Sequence, residues 1–142
     1  MEKENLVWFN TIDEAIKYGL TELEITEKDI LEQMEIDGEI FVFYKNPVTP
    51  VKDGIAVGVS NITQNKEKYA WYKADADFII KYDDKSLSQV RWETTTHTGK
   101  RFNVYTGVAK EDTLTIETPK GIQSPNVDKD SKIYYLIEKA GE

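Results

Sequence analysis

The chain reads as an α+β domain, with two N-terminal helices packed on a curved antiparallel sheet of about seven strands. Three observations predict this. Residues 1–38 carry helical apolar spacing behind two capping-box openings. From Glu39 onward the spacing shortens to the alternation of strands. One hairpin, residues 91–107, sets apolar residues opposite apolar residues in a single register. The reading is of one domain over residues 1–142, with an acidic helical segment at 1–38 and the sheet at 39–142.

The first helix opens at Thr11, with Glu14 at capping-box spacing, and Ile12, Ala15, Ile16 and Leu20 recur on one face. Gly19 weakens its end. A second helix opens at Thr26 with Asp29 three residues on, carries Ile30, Leu31 and Met34 as its apolar stripe, and stops at Asp37-Gly38. Residues 1–40 hold twelve acids and three lysines, a net charge of -9, against +1 for the rest of the chain. Acids in first turns suit the helix dipole, so the excess reads as solvated helix faces. Such a field repels phosphate backbones and argues against nucleic-acid binding.

Beyond Glu39, Ile40–Tyr44 is apolar on both faces and reads as a central strand. Asn46-Pro47 and Pro50 form a loop, Ile55, Val57 and Val59 mark the next strand, and residues 61–67 form a polar turn. Further strands follow at 69–82, 87–96, 101–107, 113–118 and 132–139, with a loop at 119–131. A type I turn at Thr96-His97-Thr98-Gly99, with Gly99 left-handed in a G1 bulge, pairs Thr96 with Lys100, Thr94 with Phe102 and Trp92 with Val104. A one-residue slip would set Glu93 against Val104. Extending the meander through a connection at Asp83-Asp84-Lys85 pairs Phe78 with Val90 and Ala76 with Trp92, so even positions point inward, beneath the helices.

Several chemistries fall away. The chain has no cysteine, which removes disulfides, thiolate metal sites and a thiol nucleophile. No apolar run approaches the roughly 20 residues of a membrane helix. The single histidine, His97, sits at a hairpin corner without an orienting partner, so no Ser-His-Asp device or His-ligated metal is expected. Asp75 and Asp77 lie close to Asp83-Asp84, but Asp77 falls across from Arg91 as an ion pair and Asp83-Asp84 fall in a turn. Asn126-x-Asp128-x-Asp130 begins like a calcium loop, yet Ser131 stands where glycine is needed and Ile137 where glutamate is needed. No glycine-rich phosphate cradle occurs, and Asn61-Ile62-Thr63 is a formal glycosylation sequon. The expectation is no catalytic residue, no metal and no cofactor. The candidate ligand-binding residues are Trp71, Lys73, Arg91 and Tyr105, an aromatic and basic strip on the odd face that could stack on a sugar ring or hold a peptide.

The stretches TIDEAIKYGL, IFVFYKN, WYKADADF and RWETTTHTGKRFNVYTG together resemble small uncharacterised exported or lipid-anchored proteins of Bacillus-like Gram-positive bacteria. The resemblance covers most of the chain and implies an extracytoplasmic domain, its leader trimmed, with no catalytic residues to carry over. The leading expectation is a non-enzymatic binding or structural domain at the cell surface, with a cell-wall or protein partner. One alternative is a carboxylate-based hydrolase of wall sugars using Asp75, Asp77 or Glu93. Another is a cytoplasmic adaptor docking a basic protein through its acidic helices.

Overall fold

The computed structural model describes residues 6–48, 52–81, 89–109 and 114–140. Among them the chain forms twelve strands and one α-helix, a mostly β architecture in place of the expected two helices on one seven-stranded sheet. The layers run helix, sheet, sheet and outer hairpin, and each interface has its own apolar cluster.

Strand β1 (Trp8–Phe9) leads into helix α1 (Ile12–Leu23). Thr11 caps the helix, its hydroxyl accepting from the Glu14 N–H at 3.1 Å, while the Glu14 carboxylate accepts from the Asn10 N–H at 3.2 Å. The helix runs through Gly19 and ends at Leu23, with Glu24 left-handed at φ 62°. Gly19 is therefore an interior packing position: a Cβ there would lie 1.9 Å from the Trp71 ring.

The second expected helix is a strand. The Thr26–Asp29 capping box forms, with the Thr26 N–H donating to Asp29 at 3.0 Å, but it opens only a three-residue 3-10 turn at Glu27–Asp29. Ile30 is already extended, and β2 (Ile30–Ile36) pairs with β3 (Glu39–Asn46). Asp37 and Gly38, both at positive φ, make a two-residue hairpin turn between Ile36 and Glu39. A bulge between Ile30 and Glu32 explains the misleading spacing. It sends Ile30 toward α1 while Leu31, Met34 and Ile36 pack into the inter-sheet core, so inserting one residue into a period of two imitates a helical stripe.

Strand β4 (Gly54–Asn65) is long enough to serve two neighbours along one edge. Its second half pairs with β5 (Lys68–Tyr72), and its first half with β6 (Phe78–Lys81). The expected continuous strand at 69–82 is thus broken by a loop at Lys73–Asp77, in which Ala76, placed inward by its parity, is exposed. The larger sheet runs β1-β5-β4-β3-β2 with β6 on β4, all antiparallel.

The second sheet contains β7 (Gln89–Thr95), β8 (Arg101–Val108), β12 (Ile133–Lys139) and β11 (Asn126–Val127), in the order β11-β12-β8-β7. The β7–β8 register pairs Trp92 with Val104 and Thr94 with Phe102, as turn chemistry and parity dictate. The pairing of Phe78 with Val90 does not occur, because β6 belongs to the other sheet; the connection expected at 83–85 lies outside the described residues. The even positions still face a core. Phe102 and Val104 are buried, Phe78 and Trp92 half-buried with ring centroids 4.2 Å apart, and their cover is the first sheet, not the helices.

Alternation along β3 explains why the first sheet needs cover on both faces. Phe41 and Phe43 meet Phe102 and Tyr135 across the inter-sheet core at 4.8 and 5.0 Å. Val42 and Tyr44 face α1 with Ile62 and Trp71. Strands β9 (Ile116–Thr118) and β10 (Gly121–Gln123) form the outer hairpin, which covers Tyr105 and Tyr134 on the far side of the second sheet. At one end Lys139 lies 3.2 Å from Asp37, tying β12 to the β2–β3 turn and holding the Asp37 carboxyl below its ordinary range.

Candidate functional site

The hydroxyl-rich turn between β7 and β8 is built to be held. The Thr96 N–H donates to the Lys100 carbonyl at 2.8 Å, the Gly99 N–H to the Thr96 carbonyl at 2.9 Å, and Gly99 sits at φ 99°, where a side chain would be strained. Beneath the turn lies Glu39, only 6 % exposed. Its carboxylate accepts from the hydroxyls of Thr98 at 2.6 Å and Thr96 at 3.4 Å, and from the Asn61 amide at 3.3 Å. The Asn61 carbonyl oxygen in turn accepts from the His97 N–H at 3.1 Å. A buried carboxylate needs this density of donors, and the threonines supply it, locking the tip of one sheet onto the other.

With its backbone fixed, the exposed His97 side chain projects between two aromatic rings. Its ring lies 5.1 Å from Tyr72 and 6.3 Å from Trp8, both edge-on at 66° and 72°. Trp8 belongs to the edge strand β1, Tyr72 ends β5 and His97 tops the β7–β8 turn, so three elements converge on one accessible corner. Both Trp8 and Tyr72 are half-buried. Sequence reasoning passed over Trp8, because a two-residue strand has no periodicity, and over Tyr72, because its parity was counted through the break at Lys73.

The four candidate residues do not meet in one strip. Trp71 is 7 % exposed, packed under α1 with its ring 6.2 Å from Tyr44. Lys73 sits in the loop after β5, its ammonium 3.0 Å from Asp77 and donating to the Asp75 carbonyl at 2.7 Å. Arg91 and Tyr105 are together on the other sheet, the guanidinium 5.6 Å from the ring centroid. Arg91 is exposed, but Tyr105 is 1 % exposed and covered by the outer hairpin.

Of the carboxylates in the hydrolase reading, Asp77 and Glu93 are occupied, whereas one Asp75 carboxylate oxygen is buried without a hydrogen-bond partner among the described residues. Asp77, placed by sequence across from Arg91, lies in the first sheet's layer, where it accepts from the Tyr44 hydroxyl at 2.6 Å and the Asn46 amide at 3.1 Å. Burial, followed by this hydrogen bond, pushes the Tyr44 phenol far above its ordinary range, so Tyr44 remains a donor. Glu93 faces Arg101 at 3.8 Å on the surface. Glu138, missed in the sequence, is 7 % exposed and accepts from Tyr105 at 2.9 Å, Gln123 at 2.6 Å and Thr118 at 3.2 Å, which ties the outer hairpin to β12. Asp128, from the calcium-like stretch, closes a turn by accepting from the Ser131 N–H at 3.0 Å and its hydroxyl at 2.6 Å.

A hollow of about 330 Å³ opens on α1, lined by Phe9, Glu14, Lys17, Tyr18 and Thr21, with the Phe9 and Tyr18 rings 5.4 Å apart. Among the described residues no cluster of histidine and acidic side chains is arranged to hold a metal ion, and no helix is long and apolar enough to cross a membrane. No family model, curated protein or solved structure matches the chain.

Proposed function

We propose that the protein is a non-enzymatic binding domain whose contact surface is the corner formed by Trp8, Tyr72 and His97, and whose ligand is a cell-wall saccharide. One observation carries the reading: three rings from three separate elements converge where solvent can reach them, on a turn fixed by Glu39 and Asn61. Aromatic side chains have few rotatable bonds and stack on sugar rings at low entropic cost. The carboxylates of Glu39, Asp77 and Glu138 favour a structural role over catalysis, since each accepts several fixed hydrogen bonds that join parts of the fold. The cell-surface setting is supported by the sequence resemblance to exported Gram-positive proteins.

Titration with soluble wall disaccharides, followed by calorimetry, tests this. Trp8→Ala is expected to weaken binding tenfold or more, about 1.4 kcal/mol, as loss of an aromatic anchor does. Arg91→Ala should leave affinity unchanged. Affinity that survives Trp8→Ala and falls with Arg91→Ala would move the site to the second sheet.

A further inference from the structure

We infer that His97 makes the ring corner responsive to pH: protonation draws Trp8 and Tyr72 onto the imidazolium and lowers the corner's affinity for a neutral sugar. The last step rests on the binding reading above; the first does not.

The imidazole meets the two rings edge-on through weak quadrupole contacts. An imidazolium adds attraction of a cation to the π faces, strongest for tryptophan. The turn backbone cannot move to exploit this, because the His97 N–H is held by Asn61 and the flanking threonine hydroxyls by Glu39. The adjustment therefore falls on the rings, and β1, joined to β5 through only two residue pairs, is the element that yields most cheaply. Faces engaged by the imidazolium are withdrawn from a sugar that would stack on them.

Among the described residues, three charged groups are placed near the corner by their contacts. Glu39 lies beneath the turn with Lys100 at 4.0 Å, and Lys68 of β5 donates to Asn10 beside β1 at 2.7 Å. Asn61 of β4 and Tyr72 of β5 present neutral groups.

The test has a ligand-free arm and a ligand arm. In the unliganded protein, nuclear magnetic resonance follows the Trp8 indole N–H, assigned with Trp8→Phe, and the His97 ring signals from about pH 5 to about pH 8. The indole signal is expected to move with the His97 titration and to stay still in His97→Gln. An indole signal indifferent to His97 titration, or one moving equally in His97→Gln, overturns the inference. In the second arm, affinity for a neutral wall disaccharide is expected to fall severalfold on acidification in the native protein and to stay constant in His97→Gln. Constant affinity in the native protein overturns the claimed coupling. Absence of binding at every pH overturns the binding reading, while the indole signal still decides the ring movement.

Discussion

Gly19→Ala is expected to destabilise the protein by about 1–3 kcal/mol, although the same exchange inside an exposed helix ordinarily stabilises by up to about 1 kcal/mol. The reversal comes from the Trp71 ring, whose Cδ2, Cε2 and Cε3 atoms would lie 1.9 to 2.2 Å from the new Cβ. Trp71 is locked between α1 and the sheet beside Tyr44, so neither ring nor helix can give way cheaply. Urea unfolding would show a lower midpoint with an unchanged slope. In a Trp71→Leu background the same exchange should cost far less than in the native protein, because the clash disappears, whatever Trp71→Leu costs by itself. A Gly19→Ala variant as stable as the native protein would mean that α1 does not rest on Trp71.

A second large effect is alkaline unfolding driven by buried phenols. Tyr44, Tyr105, Tyr134 and Tyr135 are each 5 % exposed or less, and burial raises the phenol pKa of all four, that of Tyr134 to about 12. Hydrogen bonds to Asp77 and Glu138 add to the effect at Tyr44 and Tyr105. A raised phenol pKa means the folded state keeps a proton that the unfolded chain releases near pH ~10. The stabilising difference is whole below that value and is lost as pH climbs toward the folded value. Each phenol still protonated in the folded state removes about 1.4 kcal/mol of stability per pH unit in that window. Together the four remove up to roughly 5.5 kcal/mol per unit, comparable with the entire stability of a small domain. Phenolate absorbance and circular dichroism should therefore change together, steeply, above about pH 10. A protein that ionises these phenols while keeping its strand signal would contradict the placement of their rings in closed layers.

How much of this was legible in the residues depends on the range of the signal. The β7–β8 hairpin was readable because turn chemistry at Gly99 and parity on both sides agree, and α1 because Thr11 and Glu14 announce its start. Strand β2 was not: the bulge at Leu31 gave it helix-like spacing, and Asp37-Gly38 serves equally as a helix stop or a hairpin turn. Parity told that Phe102 and Val104 face a core but not which layer closes it, since alternation records a face and not its partner. The candidate strip failed to assemble for a related reason. Trp71 and Lys73 were placed on the odd face of one meander with Arg91 and Tyr105, but β5 and β6 both belong to the first sheet, with Lys73 in the loop between them, while Arg91 and Tyr105 lie on the second. The run of threonines at 94–98 looked like surface chemistry, and its use lay in Glu39, more than fifty residues upstream.

Amide and indole shift mapping during titration with a neutral wall disaccharide tests the central claim most directly. The account predicts that the largest changes fall on Trp8, Tyr72 and residues 96–98, three stretches far apart in the chain that meet only in this fold. Changes centred on Lys73–Asp77, on Arg91 and Tyr105, or on the Phe9–Tyr18 hollow, with the Trp8 indole unmoved, would contradict it.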